Sequence, residues 1–150
     1  MATTDDGGPP LDDDDQRRLR AAVPAAMLRT PYLASLAIVF DEYGPDDVML
    51  RLPFREDLTN DGSVYHGGVV AAVMDTAGAA AAWSNHDFNK GTRASTVSMS
   101  VQYVGAAKKS DLMCRARVTT RGRELIFSEI TVTDAGGTVT AHGLQTYRIV

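Results

Sequence analysis

The sequence contains a single cysteine, Cys114, so an internal disulfide is excluded and a reducing compartment is favoured. Positive charge is also scarce: 15 lysine and arginine residues stand against 19 aspartate and glutamate residues, which gives a net charge of −4. Such a chain has no overall positive field to attract nucleic acid or an anionic membrane. The N-terminus does not resemble a signal peptide, and the longest apolar stretch, residues 69–83, is too short and too rich in alanine and glycine to span a bilayer. We therefore expect a cytoplasmic protein without nucleic-acid or membrane partners.

Several motifs that carry chemistry are also missing. The sequence has no G-x-S-x-G elbow of the α/β-hydrolases, no P-loop and no G-x-G-x-x-G dinucleotide motif. Its three histidines, His66, His86 and His142, and its one cysteine lack the spacing of a metal site. We therefore expect no metal and no cofactor, and any water that reacts has to be activated by protein groups.

The 150 residues fit one domain, and a hydrophobic fraction of 44% is enough for a soluble core. Residues 1–14 are rich in glycine, proline and aspartate, which predicts a disordered acidic tail. Asp15 is then in position to cap a helix over residues 16–28, which Pro24 shortens or bends. The folded domain is predicted to cover residues 15–150.

Beyond this first helix, the hydrophobic pattern predicts two strands, one long helix and four further strands. Residues 96–103 alternate strictly, with apolar residues from Val97 to Tyr103 on one face and Thr96 on the other, as in a half-buried strand. The other strands are predicted at residues 36–41, 48–52, 111–120, 125–133 and 138–149. Short connections among the last four strands indicate an antiparallel meander. A long helix packed on one face of an antiparallel sheet is an α+β fold.

The long helix carries a carboxylate, Asp75, at its centre. A helix that is apolar nearly all round is buried, and an isolated buried charge is costly, so Asp75 needs an explanation. Its neighbours on the same helical face are all small: Ala71, Ala72, Gly78 and Ala79. This predicts a groove with room for a ligand beside a catalytic carboxylate. The alternative is that Asp75 hydrogen-bonds a backbone group or pairs with an arginine, and that the small residues only allow close packing.

The start of the same helix offers hydrogen-bond donors. Gly67 and Gly68 follow His66 at the point where the helix is predicted to begin. A helix N-terminus presents unpaired N–H groups and partial positive charge, and glycine lets a substrate approach the backbone closely. The triplet therefore suits the stabilisation of an oxyanion.

The run Asn-Asp-Gly-Ser-Val-Tyr-His-Gly-Gly at residues 60–68, followed by Asp75, resembles the active-site segment of hotdog-fold acyl-CoA thioesterases of the PaaI type, the group of the phenylacetate-degradation enzymes and thioesterase superfamily member 2. The resemblance continues through residues 96–103 and 141–143 and covers most of the chain from residue 33 onwards. It implies a hotdog fold, in which an antiparallel sheet wraps around one long central helix. It also implies a homodimer whose sheets join edge to edge, often a homotetramer, with sites at the dimer interface.

Carried over residue by residue, the resemblance implies specific roles. Asp75 activates water or attacks the thioester carbon, while Asn60 and the N–H of Gly67 hold the carbonyl oxygen. His66 lies near the departing sulfur, and Thr96 positions the water. Each supporting residue has a structural alternative: Asn60 suits a turn, His66 a helix cap, and Thr96 a strand.

Coenzyme A carries phosphates, and basic residues late in the chain are candidates to bind them. Arg121 and Arg123 flank Gly122 at a predicted hairpin tip, and Lys108 precedes them. With Gly68 they form the predicted substrate-binding set, although ordinary solvated charge is the alternative for each basic residue.

The leading hypothesis is hydrolysis of acyl-CoA thioesters to free acid and CoA. One alternative is an acyl-thioester hydratase or dehydratase, which needs a histidine and a carboxylate that face each other. The other is a non-catalytic module that binds acyl-CoA. The acyl group, and the choice between base and nucleophile for Asp75, stay open.

Overall fold

A computed structural model describes residues 9–150 of the chain. In chain order the helices and strands are α1 (Asp13–Leu28), α2 (Pro31–Leu36), β1 (Val39–Gly44), β2 (Asp47–Leu52), α3 (Gly67–Ser84), β3 (Ala94–Tyr103), β4 (Leu112–Arg121), β5 (Leu125–Asp134) and β6 (Val139–Ile149). All six strands form one antiparallel sheet, and α3 crosses one face of it and contacts every strand. The predicted α+β architecture, a sheet wrapped around one long helix, is confirmed.

The order of strands across the sheet is β1-β2-β4-β5-β6-β3, so the predicted four-strand meander is wrong for β3. The strand β4 pairs with β2, and β3 lies at the far edge beside β6. The two positions are three strand spacings apart, about 14 Å, whereas an extended segment as long as residues 104–111 can span more than about 25 Å. The connection between β3 and β4 is therefore long enough to cross the end of the sheet. A connection of this length does not require β3 and β4 to be neighbours.

The core lies between α3 and the sheet. The strand β2 shows the clearest alternation, with Val48, Leu50 and Leu52 fully buried and the residues between them partly exposed. From the helix, Val73 and Met74 are also fully buried against this layer. The helix is buried along nearly its whole length because it is apolar on almost every side.

The N-terminal helix begins earlier than predicted. Asp12, and not Asp15, is the N-cap, and its Oδ1 accepts a hydrogen bond from the Asp15 N–H at 2.8 Å. Residues 12–14 are therefore ordered, which corrects the predicted tail at that end, while residues 1–8 lie outside the described part of the chain. The helix continues through Pro24, and Pro31 starts the short helix α2, which the sequence interpretation missed.

The edge strand β3 contains a bulge at Val97. Thr96 lies opposite Tyr147 of β6, whereas Ser98 lies opposite Thr146, so β3 has one more residue than its partner at this point. The extra residue reverses the alternation at the start of the strand, and the side chain of Val97 is 55% exposed. The predicted assignment of faces is therefore wrong for the first residues of β3.

None of the helices between residues 9 and 150 is sufficiently long and apolar to cross a membrane.

Cys114 lies on β4 and is fully buried, and burial raises the pKa of its thiol. We expect a soluble disulfide reagent such as DTNB to leave Cys114 unmodified in the folded protein, since neither the thiolate nor access is available. The same protein in guanidinium chloride should release one equivalent of chromophore, which serves as the internal control. Labelling of the native protein as fast as labelling of the denatured protein would contradict this burial.

Candidate active site

Asp75 lies at the middle of α3 and is half-buried. Its Oδ1 accepts two hydrogen bonds, from Thr96 Oγ1 at 2.6 Å and from Gln145 Nε2 at 2.7 Å. Its Oδ2 has no hydrogen-bond partner among residues 9–150, and no lysine or arginine in that range forms an ion pair with it. The carboxylate is thus oriented through one oxygen, and the other oxygen remains available for a proton or for attack.

Thr96 reaches Asp75 because of the bulge in β3. Regular alternation would turn Thr96 to the opposite face from α3, as the sequence analysis assumed. The extra residue at Val97 brings Thr96 onto the inner face, opposite Tyr147. The pKa of Tyr147 is raised, mainly by burial, and the negative charge of Asp75 acts in the same direction. The structure thus brings Asp75, Thr96 and Tyr147 together.

Gln145 of β6 is the site residue that the sequence analysis missed. It is 2% exposed, and its Nε2 also donates to the backbone oxygen of Asp75 at 3.0 Å. A Cβ added at Gly78 would lie 2.1 Å from Gln145 Oε1, so the glutamine amide occupies the space beside Gly78. The predicted open groove is therefore filled at this point. The sequence could have pointed to Gln145. It lies two residues from Gly143 on the inward face of β6, where a polar side chain needs a hydrogen-bond partner.

The loop before α3 is held by its own hydrogen bonds. The backbone N–H of Asn60 donates to Val64 O at 2.9 Å, and Asp61 Oδ1 accepts from the N–H groups of Ser63 and Val64. These bonds hold the pKa of Asp61 below its ordinary value. The side chain of Asn60 is exposed, so the residue makes the turn with its backbone and leaves its amide free for a ligand.

His66 caps α3. Its Nδ1 accepts the Gly68 N–H at 2.8 Å, so a neutral imidazole carries its proton on Nε2. The Gly67 N–H, in contrast, has no acceptor among residues 9–150. Of the two predicted backbone donors, Gly67 is the available one, and Gly68 is committed to the cap.

A pocket of about 170 Å³ opens beside this helix start. It is lined by Gly67, Val70, Tyr65 and Tyr103, with residues of the loop after β3. The Tyr103 hydroxyl donates to Gly67 O at 2.7 Å, and burial raises the pKa of Tyr65 to about 12, so that phenol stays neutral. Gly67 itself lines this pocket, so a ligand bound there would lie beside the start of α3.

The helix start and Asp75 are well separated within one chain. Gly67 and Asp75 are eight residues apart on α3, which corresponds to about 12 Å along the helix axis. A single thioester group cannot contact both, because its carbonyl carbon and oxygen are bonded to each other. The structure thus places Asp75 beside Thr96 in one half-site, and His66 and Gly67 at the start of α3 in a second half-site, which the loop containing Asn60 precedes.

The predicted CoA-binding residues have different surroundings. Lys108 is exposed and is joined to the loop by a bridge between its backbone and Val64. Arg123 is exposed beyond Gly122, whose N–H closes the β4–β5 turn on Leu125 O. Arg121 instead donates to Asp46 Oδ1 at 2.6 Å and to the carbonyls of Ala81 and Ala82 at the end of α3. This structural role counts against the predicted contact between Arg121 and CoA.

We expect Arg121→Gln to lower the free energy of unfolding by about 2 kcal/mol, because Asp46 and two helix carbonyls lose a charged donor. The KM for an acyl-CoA should change by less than about twofold, because Asp46 and the carbonyls of Ala81 and Ala82 already engage the guanidinium. Arg123→Gln is the matched control, and its denaturation curve should overlay that of the wild type. An unchanged stability together with a large rise in KM for Arg121→Gln would restore Arg121 to the substrate-binding set.

The part of the chain that the structure describes contains no cluster of three or more His, Cys, Asp or Glu residues that could hold a metal ion.

The family model of the thioesterase superfamily matches residues 62–141. A thioesterase family protein from Silicibacter pomeroyi is 27% identical, with 87% of this chain and 98% of that chain aligned and a TM-score of 0.80. Thioesterase superfamily member 2 from zebrafish is 26% identical, with 93% and 99% aligned and a TM-score of 0.72. The resemblance to hotdog-fold thioesterases is thereby confirmed.

A protein from Streptococcus pneumoniae, described as a hypothetical thioesterase and solved with coenzyme A, shares the fold at 17% identity, with 78% of this chain and 90% of that chain aligned and a TM-score of 0.70. The family match covers more than half of the sequence and includes α3 with Asp75 and the strands from β3 to β5. This chain therefore belongs to the thioesterase superfamily and has the hotdog fold.

Proposed function

We propose that the protein hydrolyses acyl-CoA thioesters to a free acid and CoA. The observation that carries the proposal is the state of Asp75: its Oδ1 is fixed by Thr96 and Gln145, its Oδ2 is free, and no cation neutralises it among the described residues. A carboxylate that only served the fold would have both oxygens satisfied or would pair with a base. An oriented carboxylate with one free oxygen is suited to act as a general base or a nucleophile.

The other half-site supplies what the transition state needs. The Gly67 N–H at the start of α3 and the side-chain amide of Asn60 are donors for the oxygen that becomes negatively charged when the thioester carbon is attacked. The Nε2–H of His66 is directed away from the cap and can approach the departing sulfur. A thiol with a pKa of roughly 8.5 is a good leaving group, so no strong general acid is required.

The proposal includes a homodimer, because the two half-sites lie about 12 Å apart in one chain and a second copy can bring them together. The edge of β3 supports this assembly: no strand among residues 9–150 pairs with its outer side, and Val97, Tyr103 and the adjoining Val104 are each more than half exposed. Unpaired strand edges join readily to another strand. Pairing of dimers into a tetramer would use the outer face of the sheet, where Leu144 is 64% exposed.

Exposed basic residues support CoA as the thiol part of the substrate, because CoA carries phosphates. The CoA-bound relative from Streptococcus pneumoniae shows that this fold can hold the nucleotide in another protein. In this chain Lys108 and Arg123 are exposed, and neither forms an ion pair among residues 9–150, so both can contact phosphates. Lys108 adjoins the Gly67 half-site through its bridge to Val64.

The test is a panel of aliphatic and aryl-acyl CoAs incubated with the purified protein and DTNB. We expect release of one thiol per substrate consumed, with no contribution from the buried Cys114. Water addition to an enoyl-CoA without thiol release would instead indicate a hydratase. Tight binding of acyl-CoA with no thiol release over long incubation would indicate a binding module, and either result would refute hydrolysis.

A further inference from the structure

We infer that Gln145 is a positioning residue for the reaction, which holds the Asp75 carboxylate so that Oδ2 alone faces the substrate. The inference rests on the proposed function and extends it to a residue on a different strand. The Nε2 of Gln145 donates to Asp75 Oδ1 at 2.7 Å and to Asp75 O at 3.0 Å. Both hydrogen bonds of the Gln145 Nε2 group are therefore made to Asp75.

The orientation of the Gln145 amide is determined by its surroundings. If the amide were turned over, Oε1 would face two acceptor oxygens of Asp75, and the repulsion would replace two hydrogen bonds. In the orientation observed, Oε1 is buried without a hydrogen-bond partner among the described residues. The two bonds to Asp75 are thus made at the expense of an unsatisfied oxygen.

The space that Gln145 occupies is available only because residue 78 is glycine. A Cβ at that position would lie 2.1 Å from Oε1 and 2.6 Å from Cδ of Gln145. A methionine at position 145 would fill a similar volume without the cost of an unsatisfied amide oxygen. What the amide contributes beyond packing is its pair of donors on Asp75.

The expected consequence concerns the reactive step. With Thr96 and Gln145 both on Oδ1, the carboxylate cannot rotate about its Cβ–Cγ bond without breaking two hydrogen bonds. Without Gln145 one bond remains, and the carboxylate can turn so that Oδ2 leaves its reactive position. Gln145 does not touch the substrate, so its loss should affect kcat and leave KM nearly unchanged.

Four variants test the inference. Gln145→Met should fold with unchanged or higher thermal stability, show kcat reduced by about 10- to 100-fold, and keep KM within about threefold. In the double variant Gly78→Ala/Gln145→Ala, the new methyl group occupies part of the vacated space, so it should melt at a higher temperature than Gln145→Ala alone, yet its kcat should stay low. Ser128→Ala is the matched control: Ser128 Oγ is another buried polar atom without a partner among the described residues, it lies on the neighbouring strand, and its removal should leave kcat within about twofold.

The outcomes separate this inference from the proposed function. Wild-type kcat in Gln145→Met, in a preparation where Asp75→Asn is inactive, would overturn the role of Gln145 and leave the role of Asp75 intact. A double variant that regains both stability and kcat would show that Gln145 only fills space. Failure of both Gln145→Met and the double variant to fold would assign the amide to the fold and equally overturn the inference. If Asp75→Asn is itself active, the proposed function fails first.

Discussion

Asp75→Asn is expected to reduce kcat for acyl-CoA hydrolysis by roughly 10²- to 10⁴-fold, the range that a positioned general base contributes. The substitution preserves the shape of the side chain, and an asparagine oxygen can still accept from Thr96 Oγ1 and Gln145 Nε2. What changes is the second position: a carboxylate oxygen with lone pairs becomes an amide NH₂, which neither takes a proton nor attacks carbon. The fold should therefore survive while the reaction stops.

The measurement is CoA release by the two proteins under saturating substrate, with thermal melting as the check on folding. Asp41→Asn is a suitable control, because Asp41 forms a partly exposed ion pair with Arg51 far from α3 in sequence, and such pairs contribute little. We expect the control to keep wild-type kcat. A rate for Asp75→Asn equal to that of the wild type would remove the carboxylate from the mechanism.

The second large effect is a recovery of activity when two inactive variants are mixed. Asn60→Ala removes the proposed oxyanion donor and should reduce kcat by about 10²-fold. In a mixed dimer with Asp75→Asn, one of the two composite sites combines an intact Asp75 with an intact Asn60 from the other chain. If subunits mix at random, half of the dimers are mixed and each has one working site, which predicts about one quarter of the wild-type rate.

Subunits would be exchanged by joint unfolding and refolding at equal concentrations, and each variant refolded alone would set the background. Recovery well above both backgrounds requires that Asp75 and Asn60 of one site come from different chains. If both groups acted within one chain, mixing could only average the two parents, and a rate at that average would refute the composite site.

The sequence alone was sufficient to predict the buried central helix and to single out its carboxylate as a candidate functional group. A long apolar segment is buried, and a single charge within it is costly unless it has a specific role. Strict alternation predicted the wrong face for Thr96, since a bulge depends on how β3 and β6 align and leaves no local pattern in the sequence. The position of β3 itself was wrong for a related reason: connection length alone does not determine which strands pair.

The surroundings of two other residues, Gln145 and Arg121, could be determined only from the three-dimensional structure. The alternation of β6 places Gln145 on its inward face, but only the folded sheet shows that its amide lies beside Gly78 and donates to Asp75. In the sequence, Arg121 lies at a predicted hairpin tip and has no evident partner. In the fold it donates hydrogen bonds to Asp46 and to a carbonyl at the end of α3, which come from distant parts of the chain. Contacts between residues that lie far apart in sequence therefore decided both cases.

The most direct measurement is a crystal structure of the protein with a non-hydrolysable acyl-CoA analogue. The account predicts a carbonyl oxygen within hydrogen-bond distance of the Gly67 N–H of one subunit, with the adjoining carbon facing Asp75 Oδ2 of the other. An analogue whose carbonyl lies far from every Asp75, or whose two contacts both come from one chain, would contradict it.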